Sequence, residues 1–263
     1  MEIREVLSQL DGLFARKELA QVEPFLLSQL AQAQAEGDDA ARLALLNELV
    51  GYYRSISRHE DALKMAAAAL ALISEMGLAG TSACATTLVN VATAYRAAGD
   101  LAHAAALYDD ARAIYERLGE NGYALASLLN NMSQVYQAQG RHAEATPFLE
   151  RALVILSPLS GVDAEIATTH SNLALSLLAM HRLDEAEAHL TQALAIFERG
   201  SGPRDAHYGA ALAAAGELAA LRSDYAAAMR YYERALPEIA RSFGKNDGYW
   251  ATARNLEQAR KKL

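Results

Sequence analysis

The sequence is nearly devoid of cysteine. Among its 263 residues only Cys84 is a cysteine, so no intrachain disulfide can form. A chain without disulfides suits a reducing compartment, where a lone buried thiol is ordinary. The residues next to Cys84 carry no positive charge that would activate it, so we predict a buried structural residue and not a reactive thiol.

Long apolar runs and an excess of basic residues are also missing. No stretch approaches the ~18 apolar residues that cross a membrane, and the first five residues lack the basic start of a secretory signal. The formal net charge is -8, and the Lys and Arg residues are scattered. Nucleic acids are bound through basic residues that neutralise phosphates. We therefore expect a cytoplasmic protein that binds neither membranes nor nucleic acid.

Catalytic motifs are missing as well. The chain has no nucleophile elbow, no phosphate-cradling glycine loop and no paired cysteines. His181, Glu185 and His189 are spaced four apart, as metal ligands on a helix can be, but such polar residues are ordinary on an exposed helix. His170 and Ser171 set a base beside a hydroxyl, yet sequence neighbours on a helix point in different directions. We predict no catalytic residue, no metal and no cofactor.

What the sequence does have is a repeat. The segment YRAAGD at 95–100 is echoed by YQAQGR at 136–141. Short polar turns recur at intervals of 40 to 42 residues, at Lys17, Ser57, Gly99, Gly140, His181 and Ser223. A fixed period of this size indicates stacked supersecondary units that bury a common core.

Two columns of small residues follow the turns. Alanine stands five residues after five of the six turns, and twelve residues after five of them. Small side chains let two helices cross closely, so the columns mark the crossing within a helical hairpin. Between the turns the apolar residues have helical spacing, and no segment alternates as a strand does. Pro147 and Pro237 fall inside these patterns, where each must lie in a first turn or kink its helix.

The pattern Tyr-x-x-x-Gly-Asp/Arg-x-x-x-Ala, with a second alanine seven residues later, resembles the tetratricopeptide repeat. The period is similar to the longer-helix type of kinesin light chains and of many bacterial regulators and scaffolds. The resemblance implies an all-α, right-handed α-solenoid of about six hairpins plus a C-terminal capping helix. It also implies one domain over 1–263, with a degenerate repeat in 1–36, five repeats in 37–245 and the capping helix in 246–263.

An amide recurs nine residues before several turns, at Asn90, Asn131 and Asn172 and, more weakly, at Asn255. In the family that this chain resembles, the first helix of each hairpin lines a concave groove, and asparagines there hold the main chain of an extended peptide. The resemblance implies that role for these residues, because an amide offers a donor and an acceptor together. The alternative is that the asparagines hydrogen-bond the adjoining hairpin.

Further polar residues share the expected groove face: Arg54, Arg96, Gln137, Thr93, Gln134 and Asn130. The two arginines stand out in an acidic chain. They can attract an acidic peptide or its carboxylate, or each can be solvated and paired with a nearby glutamate. No lysine stands one residue before the asparagine column, so the chaperone-tail clamp of some relatives is not expected. Near the carboxyl end the groove positions turn apolar, for example at Leu178 and Ala214.

We therefore predict a non-enzymatic binding module that captures an extended segment of a partner protein, or a short peptide, in its groove. Two rival functions stay open on sequence grounds. One is a regulator that is switched by a peptide ligand. The other is a structural protein that forms a homo-oligomer through an end repeat and leaves its groove empty.

Overall fold

The protein is all-α in a computed structural model that describes residues 2–200 and 205–263, apart from the Phe243 side chain. These residues form thirteen helices and no strand. The helices are α1 (Ile3–Ala15), α2 (Leu19–Glu36), α3 (Asp39–Ser55), α4 (His59–Glu75), α5 (Ser82–Ala97), α6 (Leu101–Arg117), α7 (Tyr123–Ala138), α8 (His142–Leu156), α9 (Asp163–Ala179), α10 (Leu183–Arg199), α11 (Tyr208–Leu221), α12 (Tyr225–Phe243) and α13 (Asp247–Arg260). No helix in the described ranges has both the length and the apolarity to cross a membrane.

Consecutive helices pair into six hairpins, from α1/α2 to α11/α12, and α13 packs on the last one. The hairpins fall into two compact units, residues 1–120 with α1 to α6 and residues 121–263 with α7 to α13. Within a unit, the first helices of successive hairpins also pack on one another, as α3 does on α5 and α9 does on α7 and α11. The predicted solenoid of six hairpins and a terminal helix is confirmed, whereas one domain over 1–263 stays a prediction.

The six predicted turn positions share one backbone conformation. All of them have a positive φ, from 56° at His181 to 87° at Gly99. At each turn the next residue donates its N–H to the carbonyl five residues earlier, as Arg58 does to Tyr53 at 2.9 Å. This is the Schellman arrangement that ends a helix on a left-handed residue. One such residue per hairpin explains why the register of the repeat hardly drifts.

Four of these left-handed positions hold a side chain that strains them, and Ser57 is exposed. We expect Ser57→Gly to raise the free energy of unfolding by about 0.5 to 1 kcal/mol, because glycine adopts positive φ without a Cβ clash. The matched control is Ser28→Gly, inside α2, which should lower it by about 0.5 kcal/mol. Urea unfolding followed by circular dichroism measures both, and equal signs for the two variants would contradict the strain argument.

Both alanine columns are buried at the hairpin crossings, as predicted. Ala104 and Ala145 of the first column and Ala111 of the second are fully buried. Pro147 and Pro237 lie beyond the first turns of α8 and α12, so the first-turn alternative is excluded. Each proline therefore removes one main-chain hydrogen bond from inside a continuous helix.

Cys84 lies at the start of α5 and is buried, as predicted. Its backbone N–H is accepted by the Thr81 hydroxyl, which caps the helix. The residue thus acts as a small apolar side chain in the packing of the first unit.

Candidate binding groove

Four of the predicted site residues meet at one cavity in the second unit. Helix α7 supplies Asn130, Asn131 and Gln134, and α9 supplies Asn172. The cavity measures about 320 Å³. All four amides are half-buried, and in such partly desolvated surroundings hydrogen bonds are stronger than in water. Gln134 lies on the same side of α7 as both asparagines, because it stands four positions after Asn130 and three after Asn131.

Asn130 and Asn172 link the two hairpins that flank this cavity. The Asn130 amide nitrogen donates to the Thr169 hydroxyl at 2.8 Å and to the Ala126 carbonyl at 3.3 Å. The Asn172 amide nitrogen reaches the Asn130 side-chain oxygen at 3.5 Å, a long contact. These bonds correspond to the alternative in which the amides hold the adjoining hairpin.

Asn131 and Gln134 behave differently. Neither side chain hydrogen-bonds any residue in the described part of the chain, although both line the cavity. Buried or half-buried amides are normally paired within a protein. These two therefore leave donors and acceptors directed at whatever occupies the cavity.

The rim of the cavity carries two residues that sequence reasoning missed. The Tyr123 hydroxyl on α7 donates to the Glu165 carboxylate on α9 at 3.1 Å. Burial and the nearby Glu165 charge raise the pKa of Tyr123, so its hydroxyl stays protonated and keeps donating. Tyr123 and Glu165 are 42 residues apart, which is one repeat, so the repeat period could have predicted their contact.

Gln137 faces the protein and not the cavity. Its amide nitrogen donates to the Asn172 carbonyl at 2.7 Å and to the buried Ser176 hydroxyl at 2.9 Å. Gln137 thus joins α7 to α9. It is not among the side chains that line the cavity.

The first unit repeats the amide contact between neighbouring hairpins. The Asn90 amide nitrogen donates to the Asn47 side-chain oxygen at 2.9 Å, and Asn47 in turn donates to the Thr87 hydroxyl at 3.1 Å. Asn47 stands at the same repeat position as Asn130, so the repeat alignment could have identified Asn47 as a candidate site residue. Asn47 and Asn130 thus each connect two neighbouring hairpins, one in each unit.

The Thr93 side chain is hydrogen-bonded inside the first unit. Its hydroxyl donates to the Val89 carbonyl at 2.8 Å and lies 2.8 Å from the hydroxyl of the fully buried Tyr108. A hydroxyl has one hydrogen, so Tyr108 must be the donor in the second bond. Thr93 therefore anchors Tyr108 directly.

Arg54 and Arg96 lie close to each other in the first unit. They occupy equivalent repeat positions on α3 and α5. Burial and the charge of Arg96 lower the pKa of Arg54. Within the described residues, neither guanidinium has a carboxylate at ion-pair distance, so the alternative in which each pairs with a nearby glutamate is not what the structure shows.

The expectation of an apolar groove near the carboxyl end is wrong in part. Leu178 and Ala214 are apolar but buried in the core, so they present no surface to a ligand. The cavity there contains Glu217, whose pKa is raised by burial. Asn255 lines the same cavity together with Tyr232, whose pKa burial raises to about 12.

The histidines that were weighed as ligands or bases are separated. His181 forms a turn, while Glu185 pairs with Arg182 at 2.6 Å. His189 lies 2.8 Å from His170, ring nitrogen to ring nitrogen, and burial lowers the pKa of His170 to about 4. Both rings are thus neutral at pH 7 and share one hydrogen bond. No group of three metal-ligating side chains occurs in the described residues.

Comparisons with known proteins agree with this architecture. Curated proteins gave no significant match. BtubC (BKLC) from P. vanneervenii is 23% identical, with a TM-score of 0.67 over 76% of this chain and 81% of that one. The TPR-like repeats of a putative kinesin light chain from Podosopora anserina are 20% identical, with a TM-score of 0.57 over 84% and 96%. NprR, solved with its cognate peptide NprX, is 14% identical, with a TM-score of 0.70 over 99% and 78%.

At these identities the solved structures establish the fold alone. The sequence profile of the tetratricopeptide repeat matches residues 83–156 and 165–237, more than half of the chain. The matched segments contain the left-handed turns at Gly99, Gly140, His181 and Ser223 and the buried alanines that follow them. The chain belongs to the tetratricopeptide repeat family, in its long-helix form similar to kinesin light chain repeats.

Proposed function

We propose that this protein is a binding module that captures an extended segment of a partner protein, or a peptide, against the first helices of its hairpins. The cavity around Asn131 in the second unit is the proposed main contact. The observation that carries the proposal is that Asn131 and Gln134 line this cavity without a side-chain hydrogen bond to any described residue.

The chemistry of the two amides favours a peptide main chain as ligand. Each amide offers two N–H donors and a carbonyl acceptor, and an extended peptide presents N–H and C=O groups along its length. Because Asn131 and Gln134 are one helical turn apart, they can pair with neighbouring peptide units. Such pairing ignores the ligand's side chains, so it supplies affinity for any extended segment and leaves selection to other contacts.

The comparison with NprR supports the same kind of ligand. That protein was solved with its cognate peptide NprX, and its fold matches nearly all of this chain. A peptide is therefore a ligand that this architecture can hold. The polar lining of the cavity combines these amides and several hydroxyls with the ionisable side chains of Glu165, Asp205 and His207, all of which can hydrogen-bond a peptide.

The expected affinity is moderate. A net hydrogen bond contributes about 0.5 to 1.5 kcal/mol, so a few amides together with apolar contacts give roughly micromolar binding, near -8 kcal/mol. Reversible capture is the expected behaviour.

The proposal predicts that Asn131→Ala combined with Gln134→Ala will weaken capture of partner proteins from native lysate at least about tenfold, the equivalent of about 1.4 kcal/mol. The melting temperature should hardly change, because the two amides bond no other described side chain. Quantitative mass spectrometry of the captured proteins, with a thermal melt of each variant, measures both effects.

The control is Gln192→Ala, which removes an exposed amide from α10, the second helix of its hairpin. It should capture the same proteins as the parent. Equal capture by the double variant and the parent would refute the role of this cavity. The captured partner, once added back, also tests the regulatory alternative, because a peptide-switched protein would change its small-angle scattering profile on binding.

A further inference from the structure

Two sets of arginines stand at fixed positions relative to the turns of the repeat. Those that directly follow a turn are paired: Arg58 lies 2.7 Å from both Glu23 and Asp61, and Arg182 lies 2.6 Å from Glu185. Arg54 and Arg96, three residues before their turns, have no such partner among the described residues. In a chain of net charge -8, two adjacent cations without counter-charges form a local positive site.

Arg54 is exposed at the protein surface, whereas Arg96 is half-buried. The Nε atom of Arg96 is buried and has no hydrogen-bond partner. Burial and the charge of Arg96 disfavour the charged form of Arg54. An anion placed between the two guanidinium groups would relieve the repulsion between them. It would also accept hydrogen bonds from their free N–H groups, since guanidinium matches the geometry of oxyanions.

The buried Tyr108 lies next to the two arginines. Its hydroxyl lies near enough to both guanidinium groups for their charges to counteract the increase of its pKa by burial. Because the Tyr108 hydrogen is donated to Thr93, its oxygen is left as an acceptor for a guanidinium N–H. Thr93 and Tyr108 are therefore positioning residues for the two arginines.

We propose that Arg54 and Arg96 form an anion subsite that receives one carboxylate of the captured segment. The inference rests on the proposed function, since it names the chemistry of the segment that the first helices bind. It places an acidic group of the ligand against the first unit, near the carboxyl-terminal ends of α3 and α5, where the two arginines stand.

The neighbourhood of the subsite selects a single charge over a polyanion. Glu48 precedes Arg54 by six residues on α3, about 9 Å along the helix. It is half-buried, and burial and the charge of Asp11 both raise its pKa. A polyphosphate extended along α3 would meet this acidic pair and be repelled, whereas one carboxylate would not.

Four libraries of short extended peptides test the subsite. All are N-acetylated and randomised in non-ionic residues. Three are C-amidated, with a central Glu, Gln or phosphoserine, and the fourth has a central Gln and a free carboxyl terminus. On the immobilised parent protein we expect the Glu library or the free-carboxylate library to be retained at least about fivefold better than the amidated Gln library, with the preference falling at high salt. Whichever of the two is retained identifies a side-chain or a terminal carboxylate as the source.

The variant Arg54→Gln with Arg96→Gln should lose the preference and keep the parent's retention of the amidated Gln library. Arg54→Lys with Arg96→Lys keeps both charges and should retain part of the preference, which separates loss of charge from loss of folding. Arg254→Gln, which removes an exposed charge on α13, is the matched control. Equal retention of the carboxylate and amidated Gln libraries by the parent, or stronger retention of the phosphoserine library than of both carboxylate libraries, would overturn the subsite. If no library is retained, the proposed function itself fails.

Discussion

Tyr108→Ala should lower the free energy of unfolding of the first unit by about 3 to 5 kcal/mol, the range observed when a buried aromatic side chain is truncated. Tyr108 is one of the largest fully buried side chains of the protein. It lies on α6 and reaches across the hairpin to Thr93 on α5. Removal of the ring would leave a cavity that fixed helices on both sides cannot close.

Tyr108→Phe separates packing from hydrogen bonding. It removes only the hydroxyl, and Thr93 keeps its own bond to the Val89 carbonyl, so we expect a loss of about 1 kcal/mol. Urea unfolding followed by circular dichroism measures both variants. Similar losses for Ala and Phe would mean that the hydroxyl, and not the ring, carries the contribution.

Gly216→Ala should lower the free energy of unfolding by about 1 to 3 kcal/mol, although alanine is normally the better helix former. Gly216 lies in α11 against Tyr232 of α12. A Cβ atom at this position would meet the Tyr232 ring carbons at 2.5 Å and 2.6 Å. Tyr232 is itself buried, so the ring has no free space to move into. The substitution therefore overpacks the closest approach of the two helices.

The matched control is Gly51→Ala in α3. A Cβ atom there meets nothing within 4 Å, so the variant should gain about 0.5 to 1 kcal/mol from reduced backbone freedom in the unfolded chain. The same substitution is thus expected to act with opposite signs at two helical glycines. Thermal melts of the two variants measure the two changes in stability. A stabilised Gly216→Ala variant would contradict the packing argument.

Most of the fold could be predicted because its rules are local. The left-handed residue at each turn and the alanines five and twelve residues later recur at fixed sequence distances, so a single chain displays them repeatedly. Ser57 and His181 were identified as turn residues by their place in the period, even though their side chains do not favour positive φ. Even the degenerate first repeat keeps this geometry at Lys17.

The site was harder to predict because its residues look alike in sequence. Asn131 and Asn172 occupy the same repeat position, yet Asn172 contacts the neighbouring hairpin while Asn131 bonds no other described side chain. The difference depends on what the adjacent hairpin offers, which is a contact across about one repeat of chain. Gln137 and Asn90 hydrogen-bond a neighbouring hairpin for the same reason.

The sequence by itself determined the helices, their turns and the order of the hairpins, since each of these follows from interactions within a few residues and from apolar periodicity. Only the tertiary structure decided which polar side chains are satisfied. Asn131, Gln134, Arg54 and Arg96 differ from their neighbours in the partners that packing brings near them. Hydrogen bonds and charges act over a few ångströms in space, and sequence position alone does not set those distances.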